Sequence, residues 1–193
     1  MKGLLKEIRQ CSFCEPFLPL GANPIISASA ESKILLISQA PGRIAHEKTH
    51  AWDDPSGKRL KEWLGVDDET FYNPDNFAIL PLGFCFPGKA KTGDLPPRPE
   101  CAPLWQRQVL DKINGNPLKI LIGNYSQNYY LKDKLKLTQR IKNFQAYLPD
   151  HFVIPHPSPV NRFWTLKNPW FEQEILPILK DVVQERLNGR DRL

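Results

Sequence analysis

The chain has 193 residues, of which 41% are hydrophobic and 24% are charged, and this composition is typical of one globular domain. No apolar run approaches the roughly 20 residues that span a bilayer. The charged start MKGLLKEIRQ lacks the apolar core of a signal peptide. We therefore expect a cytoplasmic monomer without membrane association, folded as a single domain over residues 1–193. The net charge of +5 suits an anionic partner such as nucleic acid but does not establish one.

Four short apolar runs predict β-strands over 32–38, 76–84, 118–124 and 151–157, the second stopped by Pro81. Helical spacing of apolar residues predicts helices over 56–65, 100–113, 126–135, 138–148 and 168–187. The last helix has Asn168 as its expected cap and Pro177 as an expected kink, and residues 188–193 are expected to fray. This alternation predicts an α/β domain with a mostly parallel four-stranded sheet and helices on both faces. Such sheets bind ligands beyond the carboxyl ends of their strands.

Residues 156–163, HPSPVNRF, follow the last predicted strand. The prolines at 155, 157 and 159 remove N–H donors and disfavour helical geometry in the residues before them. We therefore predict a rigid extended loop that holds His156 and Ser158 in fixed positions. A hydrolase that uses these two residues as base and nucleophile is disfavoured, because no strand–turn–helix elbow surrounds the serine.

A basic segment lies near the third predicted strand and contains Lys132, Lys134, Lys136, Arg140 and Lys142. It is either a solvated surface face or a patch that contacts phosphates.

Two loops at predicted strand ends carry a resemblance to a known family. The sequence SQAPG at 38–42 follows the first strand, and HPSPV at 156–160 follows the last. In this order and placement they resemble the first and closing motifs of the uracil-DNA glycosylase superfamily, and the likeness covers most of the chain. The resemblance implies a base-excision repair enzyme that flips a deaminated base out of DNA and hydrolyses its N-glycosidic bond.

The likeness is strongest to the iron–sulphur branch of that superfamily. Counting from Gly42, Trp52 falls on the branch's base-stacking aromatic position, and Gly57 falls on a glycine at the start of a helix. The resemblance implies a structural [4Fe–4S] cluster on four cysteines, Cys11, Cys14, Cys85 and Cys101. From the residues alone, four thiolates from two distant segments ligate either a cluster or a zinc ion, or they are unrelated buried thiols.

The resemblance also assigns roles within the two motifs. His156 is expected to stabilise the departing base, and the base-binding residues are Gln39, Ala40, Trp52 and Pro81. The residues expected to contact DNA are Pro41, Gly42, Ser158, Asn161 and Arg162, with Val160 beside the last two in a loop that fills the vacated stack.

The sequence departs from the branch at its catalytic acid, because Gln39 occupies the acidic position of the first motif. The replacement candidates are Glu47, Asp53 and Asp54. We favour Asp54, which lies three residues before Gly57, and then Asp53. The alternative is that these aspartates only cap the following helix.

A second departure concerns specificity, since Pro81 occupies the position of the uracil-reading asparagine. Uracil selectivity is therefore in question, and hypoxanthine and xanthine are further candidate substrates. A binding module that recognises damaged bases without cutting is the alternative function. Gln39 supports that alternative, whereas the intact HPSP motif and Trp52 oppose it.

Overall fold

The computed structural model describes residues 1–189. Residues 190–193, which end both the predicted single domain and the expected frayed tail, lie outside the described residues. Four parallel strands form one sheet in the order β2-β1-β3-β4, and they are β1 (Ile34–Ile37), β2 (Phe77–Ile79), β3 (Leu118–Ile122) and β4 (His151–Ile154). Nearly every strand side chain is buried, as expected for a parallel sheet covered on both faces. The predicted four-stranded α/β domain is confirmed.

The helices surround this sheet. They are α1 (Lys2–Arg9), α2 (Arg43–Lys48), α3 (Pro55–Leu64), α4 (Asp68–Tyr72), α5 (Cys101–Leu110), α6 (Gly123–Tyr130), α7 (Leu137–Lys142), α8 (Arg162–Lys167) and α9 (Leu176–Leu187). Short 3₁₀ turns occupy Glu15–Phe17, Phe144–Tyr147 and Pro159–Asn161. Within residues 1–189, none of the helices is both long and apolar enough to cross a membrane.

The strands end earlier than predicted, but backbone pairing continues past the second one. The amide of Leu82 donates to the carbonyl of Ser38 at 2.9 Å, and that of Gly83 donates to the carbonyl of Gln39 at 2.9 Å. These bonds hold the segment around Pro81 against the loop that follows β1. The two loops therefore meet at the carboxyl edge of the sheet.

The long C-terminal helix predicted over 168–187 differs from the structure in its first turns. Phe171–Ile175 forms a π-helical turn in which the Leu176 amide donates to the Phe171 carbonyl. The cause is Pro177, which has no N–H to continue the ordinary ladder. Asn168 does not cap this helix but ends α8 as its C-cap. The following helix, α9, packs on α3 and β1.

Candidate active site

A cleft opens at the carboxyl ends of β1 and β4, beside the N-terminus of α3. It encloses about 610 Å³, part of which is open to solvent. Most of the predicted site residues line it, namely Gln39, Ala40, Pro41, Gly42, Trp52, Asp54, Pro81, His156 and Ser158. Asp53, Asn161 and Arg162 are described by the structure but do not line the cleft.

His156 lies in the loop after β4 and presents its imidazole to the cleft. Its Nδ1 accepts a hydrogen bond from the Ser158 backbone amide at 3.2 Å, so in the neutral ring the proton resides on Nε2. Burial lowers the pKa of His156 to about 4, although the nearby Asp54 and Asp94 carboxylates oppose this shift. His156 is therefore neutral at pH 7 and carries one N–H donor that its own loop does not use.

A glycine lets the imidazole approach the sheet. Gly123 starts α6 at a φ of +82°, and a Cβ there would lie 3.3 Å from the Cβ of His156. A side chain at this position would crowd the histidine as well as strain the backbone.

The loop after His156 is extended only as far as Ser158, which corrects the prediction of an extended run through 163. Pro159–Asn161 forms a 3₁₀ turn, and Arg162 begins α8. Pro159 takes the first position of the turn, where its missing N–H is not needed. The Asn161 side chain donates to the His156 carbonyl at 2.9 Å and so braces the loop instead of reaching outward.

The outward-facing residues of this segment are mostly apolar. Val160 is 73% exposed and Phe163 is 76% exposed, and Arg162 is exposed between them. Val160 and Arg162 were expected in this loop from the sequence, whereas Phe163 was not, because an extended loop gave no reason to expect it beside them.

Trp52 lies across the cleft from His156, with ring centroids 5.8 Å apart and planes inclined by 32°. Its backbone has a φ of +60°, which is uncommon for a residue with a bulky side chain. A bond from the Tyr72 hydroxyl to the neighbouring Ala51 carbonyl, 3.1 Å long, helps to hold this segment. Strain of this kind persists where the surrounding structure enforces it, commonly at a functional site.

Gly57 allows Trp52 to take this position. A Cβ on Gly57 would lie 1.7 Å from the Trp52 carbonyl oxygen, which no side chain tolerates. The Gly57 amide also donates to Asp54 Oδ1 at 2.7 Å. One glycine therefore supports both the aromatic wall and the carboxylate of the cleft.

Asp54 is the N-cap of α3 and also lines the cleft, so the capping and catalytic interpretations are compatible. Only Oδ1 takes part in the cap, and no hydrogen bond from residues 1–189 engages Oδ2. The other two candidates face solvent. Asp53 forms an ion pair with Lys48 at 2.8 Å, which lowers the pKa of Asp53, and Glu47 pairs with Arg43 at 2.7 Å.

Asp94 is a cleft residue that the sequence analysis missed. It lies between Cys85 and Cys101 in a segment with no periodicity, and nothing local marks it as functional. Asp94 is distant from Gly42 and His156 in the sequence, and only the fold brings it close to them.

The four cysteines, Cys11, Cys14, Cys85 and Cys101, line a single cavity of about 360 Å³ together with Arg98 and Trp105. Burial raises the pKa of the Cys85 thiol to about 11 and that of the Cys101 thiol to about 12. Within residues 1–189, no three ligating side chains are close enough to hold a single metal ion.

The basic segment near α7 divides into two kinds of residue. Arg140 is buried and donates to Asp133 at 2.9 Å and to Asn128 at 2.6 Å, so it stabilises the fold. The exposed members are Lys132, Lys134, Lys136 and Lys142. The first interpretation, a solvated face, fits Lys142, which covers the ring of Trp170 at 5.2 Å.

An imidazole, a carboxylate and an indole thus surround one cleft at the carboxyl edge of a parallel α/β sheet. A model of the uracil DNA glycosylase superfamily matches residues 26–180, which is more than half of the chain. The protein therefore belongs to this superfamily, and its general activity is that of a DNA glycosylase, a hydrolase that acts on DNA in repair. The matched range contains every cleft residue named above, whereas Cys11 and Cys14 precede it.

Proposed function

We propose that this protein removes a deaminated base, namely uracil, hypoxanthine or xanthine, from DNA. The observation that carries the proposal is the arrangement of one cleft, in which His156 faces Trp52 and Asp54. The target nucleotide is extruded from the duplex, since the glycosidic bond is inaccessible inside the stack. The flipped base then stacks on the Trp52 indole.

Hydrolysis breaks the bond between the sugar C1′ and the base nitrogen, and the bonding electrons leave with the base. Negative charge develops on a carbonyl oxygen of the base, and the His156 Nε2–H donates a hydrogen bond to that oxygen. A preoriented donor of this kind stabilises the transition state because it needs no reorganisation. Because its pKa is lowered, His156 acts as a neutral donor at pH 7.

Asp54 supports the other half of the reaction. Positive charge develops on the sugar, and water attacks C1′ as the base departs. The free Oδ2 of Asp54 accepts the proton of this water, while Oδ1 remains fixed by the Gly57 amide. The cap thus holds the carboxylate in one orientation.

DNA contact is assigned to the rim of the cleft. Ser158, Pro41 and Gly42 line the cleft and are proposed to contact the backbone of the flipped nucleotide, while the exposed Arg162 is proposed to contact a phosphate. Val160 and Phe163 form an exposed apolar pair beside them, suited to fill the space that the flipped base leaves.

The four cysteines are proposed to hold a [4Fe–4S] cluster that ties the N-terminal segment to the 85–101 loop. A [4Fe–4S] cluster takes one thiolate on each of its four irons, and the four cysteines that line this one cavity supply that number. The buried Trp105 indole N–H, which lacks a partner in the described chain, lies in the wall of that cavity and fits a sulfur acceptor.

The proposal is tested by incubating the protein with oligonucleotides that carry uracil, hypoxanthine or xanthine opposite each normal base. Alkali then converts abasic sites to strand breaks, which are resolved on a gel. We expect cleavage at one or more of these bases and its loss in His156→Ala. Tight binding to a lesion without cleavage would instead identify a binding module and make Gln39 the reason for the inactivity.

A further inference from the structure

Asp94 is a second carboxylate of the cleft, and the proposed reaction gives it no task. A short hairpin over 88–95 carries it, in which Lys89 and Asp94 form an antiparallel bridge. The Leu95 amide donates to the Gly88 carbonyl at 2.9 Å. This pairing holds Asp94 in place although most of the hairpin is exposed.

The Asp94 oxygens leave an acceptor for a ligand. Oδ1 is buried and lies 2.7 Å from Lys89 Nζ, without the directionality of a hydrogen bond. Oδ2 faces Gly42, since a Cβ on Gly42 would lie 3.6 Å from it. No hydrogen bond from residues 1–189 engages Oδ2. The Asp94 side chain is 20% exposed, so a bound ligand would complete its burial.

The wall formed by Pro81 cannot perform the same task. Proline has no polar side-chain group, and the Pro81 and Leu80 carbonyls both accept from the buried Gln106 amide, at 2.9 and 3.2 Å. The Tyr130 hydroxyl donates to Gln106 Oε1 at 2.6 Å and fixes that amide in orientation. The carbonyl groups of this wall already accept hydrogen bonds from within the protein. We therefore expect base recognition on another side of the cleft.

We propose that Asp94 accepts a hydrogen bond from the ring N–H of the flipped base while His156 donates to the carbonyl beside it. This inference rests on the proposed function and names the group that selects its substrates. An acceptor and a donor facing one cleft match a lactam, the N–H and C=O pair that uracil, hypoxanthine and xanthine share.

The Asp94 acceptor and the His156 donor together reject cytosine and adenine, the bases from which uracil and hypoxanthine arise by deamination. Cytosine and adenine present an unprotonated ring nitrogen at this edge, whose lone pair would face the carboxylate without a proton between them. Guanine also has a lactam, but it resides in a normal base pair, whereas a mispaired deaminated base is extruded at lower cost.

The experiment compares wild type, Asp94→Ala and Asp94→Asn on matched duplexes that contain uracil, hypoxanthine, cytosine or adenine. Loss of a hydrogen bond to a charged acceptor is expected to lower kcat/KM of Asp94→Ala on the lactam bases by about 10- to 100-fold. Asn can turn its amide donor toward an unprotonated ring nitrogen. The ratio of kcat/KM for uracil to that for cytosine is therefore expected to be at least about 10-fold smaller in Asp94→Asn than in wild type.

The matched control is Asp111→Ala, which removes an exposed carboxylate that pairs with Arg107 at 3.5 Å outside the cleft. It should stay within about 2-fold of wild type. Unchanged rates and base ranking in both Asp94 variants, with wild-type activity present, would overturn the role of Asp94 and leave the proposed function standing. A wild-type protein that excises none of these bases would overturn the proposed function and this inference together.

Discussion

The tautomer and protonation of the His156 imidazole depend on the backbone and the burial around it. The Ser158 amide occupies Nδ1, and burial keeps the ring neutral, so the remaining proton is directed into the cleft. An exposed histidine would be partly cationic near its ordinary pKa and free to change tautomer. The proline-rich loop therefore determines the protonation and orientation of the imidazole as well as its position.

Gly57→Ala is expected to disrupt the site through a steric clash. The added Cβ would overlap the Trp52 carbonyl oxygen at 1.7 Å, and because this atom is backbone, a change of rotamer cannot relieve the overlap. We expect a loss of about 2–3 kcal/mol in the free energy of unfolding and at least a 10-fold loss of excision activity. Denaturant unfolding and a glycosylase assay measure the two effects.

Gly3→Ala is the matched control, because a Cβ on Gly3 of α1 meets nothing within 4 Å. This variant should keep its activity and gain up to about 1 kcal/mol of stability from the higher helix propensity of alanine. If Gly57→Ala behaved like Gly3→Ala, the close approach of Trp52 to α3 would be wrong.

At the scale of elements, the N-terminus of α3 combines a helix cap with the carboxylate that we propose for catalysis. Asp54→Asn keeps an oxygen for the Gly57 amide but removes the charge, and asparagine is as good an N-cap as aspartate. We therefore expect stability within about 0.5 kcal/mol of wild type but at least about a 100-fold loss in the rate of base excision. Thermal unfolding and single-turnover kinetics separate the two roles.

A second helix in the same protein provides the control for this prediction. Asp67 caps α4 by accepting from the Thr70 amide at 2.8 Å, and it does not line the cleft. Asp67→Asn should leave both stability and excision unchanged. Equal activity in the two variants would mean that Asp54 is only a cap.

The sequence allowed the elements and motifs with local signals to be predicted. The apolar runs identified all four strands, and the family resemblance carried by the two proline-bearing loops pointed to His156 and Trp52, which line the same cleft. The helical turn at 159–161 was missed because proline, which disfavours helix in general, is tolerated at its first position. Asp94 could not be predicted, since its place in the cleft depends on the approach of a hairpin to a loop about fifty residues earlier in the chain.

At the scale of the whole molecule, His156 makes stability depend on pH. Its pKa is about 4 in the folded protein against an ordinary value of 6.5, so the unfolded chain binds more protons between these values. Stability contributed by the neutral ring is therefore present above about pH 6.5 and is lost as the pH falls toward 4, by up to about 3 kcal/mol. Denaturant midpoints at pH 4.5 and 7.5 measure this loss.

His156→Gln should show a smaller loss of stability over the same pH interval. The comparison between variants matters because burial also lowers the pKa of His151, which contributes a slope of the same sign in both proteins. An identical slope in wild type and His156→Gln would contradict the buried neutral state of His156.

The proposed cluster leads to a prediction for the whole molecule, namely that its removal destabilises the protein. Burial keeps the Cys85 and Cys101 thiols protonated without a metal, so ligation releases protons and strengthens as the pH rises. Anaerobically purified protein should contain iron and acid-labile sulfide, and Cys85→Ser should lose both, with a Tm lower by about 5–10 °C. Stoichiometric zinc would contradict the cluster, and protein without either metal would leave the cysteines as buried thiols.

The most direct test of the account is detection of the free base released from a lesion-bearing duplex under single-turnover conditions, by mass spectrometry. We predict that wild type releases uracil, hypoxanthine or xanthine and that His156→Asn, which keeps a side-chain N–H donor but loses the oriented imidazole, is about 100- to 1,000-fold slower. Equal release by the two proteins would contradict the role of His156. The absence of any released base, with the fold intact, would contradict a glycosylase built on this cleft.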